Sequence, residues 1–123
     1  MGVNRLKKIL LVDDAIDFLQ TLSEVLKKQC EVFTATGVQE ALEMLDDLNV
    51  DVICSDLYMG DGTGVDLLQV LKQKNLQIPF ILFILLSGSE ENMDVRMAEF
   101  YGAVFIPKVN TTELLIKIEE LTN

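Results

Sequence analysis

The sequence predicts an α/β fold of five alternating strand and helix units, doubly wound around one parallel sheet. Two observations predict it. Short apolar runs of β type alternate with stretches whose apolar residues recur at helical spacing. The runs are also apolar almost without interruption, as at Ile9–Val12 and Val52–Cys54, which is the pattern of strands covered on both faces. With 123 residues, 50% of them apolar, the chain can bury one substantial core and has no room for a second domain of ordinary size.

The elements follow in order. A first strand is expected at Lys7–Val12, followed by a helix with Phe18, Leu19, Leu22, Val25 and Leu26 at helical spacing. The second strand, Glu31–Ala35, precedes a helix carrying Val38, Ala41, Leu42, Leu45 and Leu48. The third, Val50–Ser55, precedes Val65, Leu68 and Leu71. The fourth, Phe80–Leu86, leads to Met93, Met97, Phe100 and Tyr101, and the fifth, Ala103–Ile106, to Leu114, Leu115, Ile118 and Leu121. Ser89 is placed to cap the fourth helix ahead of Glu90 and Glu91, and Asn110 or Thr111 to cap the last ahead of Glu113.

Composition removes whole classes of function. Twenty acidic against 10 basic residues leave a formal charge of −10, which repels nucleic acids and anionic membrane surfaces at long range. No direct nucleic-acid binding is expected. Histidine is absent, so imidazole triads, imidazole metal sites and phosphohistidine carriage by this chain are excluded. Cys30 and Cys54 form no CxxC pattern and read as reduced core thiols. The first eight residues lack a signal-peptide apolar stretch, and the run Phe80–Leu86 is too short to span a bilayer. A cytoplasmic location is expected.

In open parallel sheets ligands bind beyond the carboxyl ends of the strands. There the sequence places Asp13 and Asp14 after the first strand, Asp56 after the third, Ser87 after the fourth and Lys108 after the fifth. Three converging carboxylates either rise in pKa or recruit a cation. Mg2+ suits them, because it prefers oxygen ligands and leaves positions open for water and phosphate oxygens. An aspartate beside such an ion, a lysine and a hydroxyl is a credible phosphoryl acceptor, and Asp56 is the best candidate. Singly, an Asp after a strand is an ordinary turn residue, Ser87 a loop hydroxyl, Lys108 a solvated charge and Phe105 a core ring. Jointly, in this order, they are hard to obtain from turn chemistry.

At these residues the chain resembles the receiver domain of two-component response regulators, and the resemblance covers essentially residues 1–123 as one domain. The matches are Ile9-Leu10-Leu11-Val12-Asp13-Asp14, Asp56-Leu57-Tyr58-Met59 followed by Gly64, Leu86-Ser87-Gly88, and Gly102-Ala103 leading to Phe105 and Lys108. The resemblance implies a flavodoxin-like (βα)5 sandwich with strand order 2-1-3-4-5. It implies that Asp13, Asp14, Asp56 and the backbone carbonyl of Tyr58 hold Mg2+. Asp56 would then take a phosphoryl group from a histidine kinase or histidine phosphotransfer protein. Ser87 and Lys108 would bind the phosphoryl oxygens, Phe105 would turn inward as Ser87 closes, and Tyr58 would lie over the phosphoryl group. The output would be altered binding of a downstream protein target or effector domain at the face formed by the fifth strand and its neighbouring helices.

Four departures from the family pattern stand out. Gly60 replaces the usual proline, which loosens the loop after Asp56. Val109 replaces the proline after Lys108, and the segment Gly102–Phe105 is one residue short. The largest departure is Phe-Ile-Leu in tandem at 80–85; removing one copy restores the family spacing between Pro79 and the hydroxyl residue. Side chains alternate along a strand with period two, so the expectation is that Phe83–Leu86 forms the strand. Phe80–Leu82 would then be an extended strand start or part of the preceding loop, near its amino end and away from the acceptor, as a sticky patch through which two copies could pair as a homodimer.

The leading function is thus a phosphorylation-dependent switch, an enzyme only in promoting its own phosphorylation and dephosphorylation. It would be a stand-alone regulator or, as slightly favoured, a receiver excised from a longer protein. The alternative is a non-phosphorylated receiver-like interaction or dimerisation module. A Mg2+-dependent phosphatase is disfavoured, because no Asp-x-Asp motif follows the first strand and no cap insertion is present.

Overall fold

The computed structural model describes residues 6–84, 93–108 and 110–123. Ser87, Ser89 and Val109, with the expectations placed on them, lie outside the described residues. Among the described residues, seven strands and five helices follow in order: β1 (Lys7–Val12), α1 (Ile16–Leu26), β2 (Cys30–Ala35), α2 (Val38–Leu45), β3 (Val52–Asp56), β4 (Tyr58–Met59), β5 (Gly62–Thr63), α3 (Gly64–Gln73), β6 (Phe80–Ile84), α4 (Met93–Phe100), β7 (Val104–Pro107) and α5 (Thr111–Thr122). One five-stranded sheet runs β2-β1-β3-β6-β7, all pairs parallel, which is the predicted 2-1-3-4-5 order. The sequence did not signal β4 and β5, a two-stranded antiparallel hairpin directly after Asp56.

Alternation along the central strands feeds two cores, one on each face of the sheet. Leu10, Val12, Ile53, Phe80 and Leu82 point to one, where Val38 and Ala41 of α2, Leu68 and Leu71 of α3, and Val95 and Ala98 of α4 cover them. Ile9, Leu11, Val52, Cys54, Ile81, Phe83 and Ile106 point to the other, under Leu19, Leu22 and Leu26 of α1 and Leu114 and Ile118 of α5. Parallel strands covered on both faces carry no polar face, and this explains the uninterrupted apolar runs.

The fourth helix corrects its expected pattern. Met93, Met97 and Phe100 are exposed, whereas α4 buries Val95 and Ala98. Both stripes have helical spacing, and the smaller side chains let the helix lie closer to the sheet. Gly102 then turns the chain at φ 88°, a left-handed conformation that favours glycine, and Ala103 N–H donates to Ala98 O at 3.0 Å. This tight closure delivers β7 despite the short connection.

Of the two placements expected for the first Phe-Ile-Leu copy, the structure shows the paired strand start and not the preceding loop. Ile53 lies opposite Phe80, Cys54 opposite Ile81, Ser55 opposite Leu82 and Asp56 opposite Phe83. The first copy therefore belongs to β6, and Phe80, Ile81 and Leu82 are buried, at 3%, 0% and 0% exposure. No sticky patch exists at these residues. Starting the strand at Phe80 buries a large aromatic side chain, about 1.5–3 kcal/mol of hydrophobic stabilisation that a loop position would forgo.

Caps follow local chemistry. Asn110 caps α5 by accepting from Glu113 N at 2.9 Å, and Thr63 with Asp66 forms a capping box at α3. Cys30 and Cys54 are both buried and free.

Candidate functional site

Asp56 ends β3, so the strand itself aims its carboxylate out of the carboxyl edge of the sheet. Its Oδ1 accepts from Leu57 N at 2.9 Å, and its Oδ2 accepts from Lys108 Nζ at 3.3 Å. Asp13 follows β1 on the adjacent strand. Its backbone N–H donates to Ala35 O at 3.0 Å and its Oδ1 accepts from Ala15 N at 2.9 Å, which locks the carboxylate in place. Lys108 follows β7 and is tied to β6 by its own N–H, which donates to Ile84 O at 3.1 Å. Its ammonium stands 2.9 Å from Asp13 Oδ2, an ion pair outside hydrogen-bond geometry.

Charge balance at this point is unfavourable. Asp13, Asp14 and Asp56 each present an oxygen within 4.8 Å of the others, with Lys108 the ammonium between Asp13 and Asp56. The Asp56 pKa is raised, first by burial and then by the charge of Asp13, with Lys108 and the Leu57 N–H opposing. For Lys108, burial alone would lower the pKa, but pairing with Asp13 and Asp56 outweighs it and the pKa is raised. Asp13 Oδ2 is 1% exposed as part of its residue and has no hydrogen-bond partner among the described residues. A buried carboxylate oxygen that is ion-paired with Lys108 and faces two other carboxylates fits a hard divalent cation, and the all-oxygen donor set fits Mg2+.

The loop after Asp56 is not slack, despite Gly60. Leu57 O accepts from Gly64 N at 2.8 Å, and the β4–β5 hairpin pairs Tyr58 with Thr63. Asp61, which sequence reasoning missed, reaches across to α2, whose N-cap Gly37 has no side chain to offer. Its Oδ1 and Oδ2 accept from Val38 N at 2.9 Å and Gln39 N at 3.0 Å, and these N–H groups hold the Asp61 carboxyl below the ordinary range. Tyr58 is 52% exposed beside the site. Phe105 is partly buried on β7, packed against the core under α4.

Gly64 packs directly against the end of the acceptor strand. A Cβ there would come within 2.6 Å of both Asp56 O and Leu82 Cδ1. Gly64→Ala is therefore expected to displace the acceptor strand end and cost about 1–3 kcal/mol, the range for overpacking, as a lower urea midpoint at unchanged slope. An unchanged midpoint would show that the loop gives way freely.

Ile84 stands five residues after Pro79, the spacing that the family pattern gives the hydroxyl residue, and pairs with Pro107 one step beyond Phe83 opposite Asp56.

Residues 9–119 match the response regulator receiver domain family. Response regulator SaeR of Staphylococcus aureus is 30% identical over 118 residues, covering 92% of this chain and 49% of that protein. The chain spans half or less of the length of the curated relatives it matches. Among solved structures, the chemotaxis response regulator CheY4 of Vibrio cholerae superposes with a TM-score of 0.83 at 26% identity, covering 95% of this chain and 99% of that one. Response regulator TrrA of Thermotoga maritima, in complex with Mg2+-BeF, gives 0.80 at 26% identity, with 94% and 99% covered.

Proposed function

Because this chain belongs to the response regulator receiver family, we propose that it is a phosphorylation-dependent switch whose acceptor is Asp56. The observation that carries this reading is the convergence of Asp13, Asp14 and Asp56, with Lys108 bridging Asp13 and Asp56, at the carboxyl edge of the sheet.

A carboxylate oxygen of Asp56 attacks the phosphorus of a phosphohistidine on a kinase or phosphotransfer protein. The P–O bond forms as the P–N bond breaks, and the imidazole nitrogen keeps the electron pair and takes up a proton. Water later cleaves the acyl phosphate and releases inorganic phosphate. Asp13, Asp14, Asp56 and the Tyr58 carbonyl would hold Mg2+, which supplies neutralisation of charge on the equatorial phosphoryl oxygens. Lys108 slides from Asp13 and Asp56 to a phosphoryl oxygen. Ser87 is assigned the remaining oxygen and Phe105 the inward turn. Either state then differs in affinity for a downstream protein or effector domain. The likeness to TrrA, whose structure is in complex with Mg2+-BeF, supports this reading.

The test is incubation with Mg2+ and a small phosphodonor followed by intact mass. Addition of one phosphoryl group, which does not occur when Mg2+ is chelated beforehand, is the expected outcome. A second reading, a receiver-like module that binds partners without phosphorylation, is favoured by Ile84 at the hydroxyl place. Absence of any mass gain would select it.

A further inference from the structure

Lys108 has a contact that neither charge partner explains: its Nζ lies over the Phe18 ring, 4.7 Å from the centroid. Phe18 comes from the first turn and a half of α1, where its neighbours Leu19 and Leu22 turn into the core and leave this ring at the rim, half-buried. The ring is held by a second one. Phe83 meets it edge-on at 5.7 Å and 86°, and Phe83 is itself buried on β6 directly opposite Asp56. A lysine, a ring and a strand-fixed ring thus form one stack beside the acceptor.

Resting on the reading of Asp56 as acceptor, we propose that Phe18 is a positioning residue for Lys108, an uncharged platform that holds the ammonium while the carboxylates change partners. In the resting site the ammonium is 2.9 Å from Asp13 Oδ2 and 3.3 Å from Asp56 Oδ2. Both carboxylates belong to the set that would take a divalent cation, so both ion pairs weaken when the cation arrives. Attraction to the negative face of an aromatic ring survives that exchange, because it depends on neither carboxylate. The ammonium then stays within reach of the incoming phosphoryl oxygens and does not swing into solvent on a flexible four-carbon stem. The edge-on Phe83 keeps the ring from rotating away, at the favoured aromatic geometry.

The experiment is a double-mutant cycle in the full chain. Phe18→Leu keeps an apolar side chain without a π face; Phe18→Tyr keeps the face. Phe18→Leu is expected to slow phosphorylation by Mg2+ and a small phosphodonor about three- to tenfold, the range of a partly desolvated cation–π contact. Phe18→Tyr is expected to match the wild type. In a Lys108→Met background Phe18→Leu is expected to have no further effect, which a merely structural role for the ring would not reproduce. Independently of turnover, the Lys108 ε-methylene protons of the metal-free protein are expected to show an upfield ring-current shift that Phe18→Tyr keeps and Phe18→Leu abolishes. A folded Phe18→Leu with the wild-type rate, an undiminished effect in Lys108→Met, or methylene signals that do not move would each overturn the proposal. If the wild type takes up no phosphoryl group, the acceptor reading has failed, and the methylene shift alone decides the Phe18 contact.

Discussion

Asp56→Asn is expected to abolish phosphoryl uptake and, in metal-free buffer, to raise the thermal midpoint of the chain. The first effect follows because an amide is no nucleophile towards phosphorus. The second follows from the raised pKa of Asp56, whose folded state prefers the neutral form owing to burial and the nearby Asp13 charge. A group with a folded pKa above its unfolded value contributes stability below the unfolded pKa, and loses it as pH rises through the folded value. Near neutral pH the ionised carboxylate therefore opposes folding, and asparagine removes that charge. The gain should shrink as the pH falls towards 3.8, the ordinary value for this group, where the wild-type carboxyl is itself protonated. Intact mass checks the first effect and melting followed by circular dichroism the second. Phosphorylation surviving in the variant would move the acceptor elsewhere, and a lowered midpoint would mean that the Lys108 ion pair outweighs the repulsion.

Asp13→Asn is expected to remove the response to Mg2+. A ligand that binds only the folded state stabilises it by about 2.7 kcal/mol at a hundredfold excess over its Kd. The wild-type urea midpoint should therefore climb with Mg2+ concentration. Taking one of three carboxylates from the cluster removes an ion–ion attraction of about 3 kcal/mol, roughly a hundredfold in affinity. The Asp13→Asn midpoint should stay flat across the same range, and its phosphorylation should slow in proportion. Wild-type and variant midpoints rising together would place the cation away from Asp13.

Much of this was legible in the residues. The uninterrupted apolar strands identified a sheet covered on both faces, and the polar residues ending them identified the edge to inspect. Asp13, Asp14, Asp56 and Lys108 are indeed brought together there. What stayed hidden was hidden for physical reasons. Asp61 caps a helix that lies 22 residues upstream of it, and no local pattern reports so distant an acceptor. Phe18 had the spacing of a core residue, and only the arrival of Lys108 at its face shows its second contact. On α4, periodicity found a stripe but not which of two stripes faces inward. Which copy of Phe-Ile-Leu forms the paired part of β6 stayed open, because the two are equally apolar and equally suited to a strand.

That equality bears on how the chain finds its fold. If β6 advanced by three residues along β3, Ile53, Cys54 and Ser55 would again face phenylalanine, isoleucine and leucine in the same order. Over three places the sheet cannot tell the correct alignment from the shifted one, a local degeneracy of the kind that roughens a folding landscape. The fourth place breaks it. There the correct alignment sets Phe83 opposite Asp56, edge-on to Phe18, and the shifted one would set Leu86. The aromatic pair beside the acceptor is thus also a proofreading contact, the point at which a duplicated strand is told which of its two copies to use.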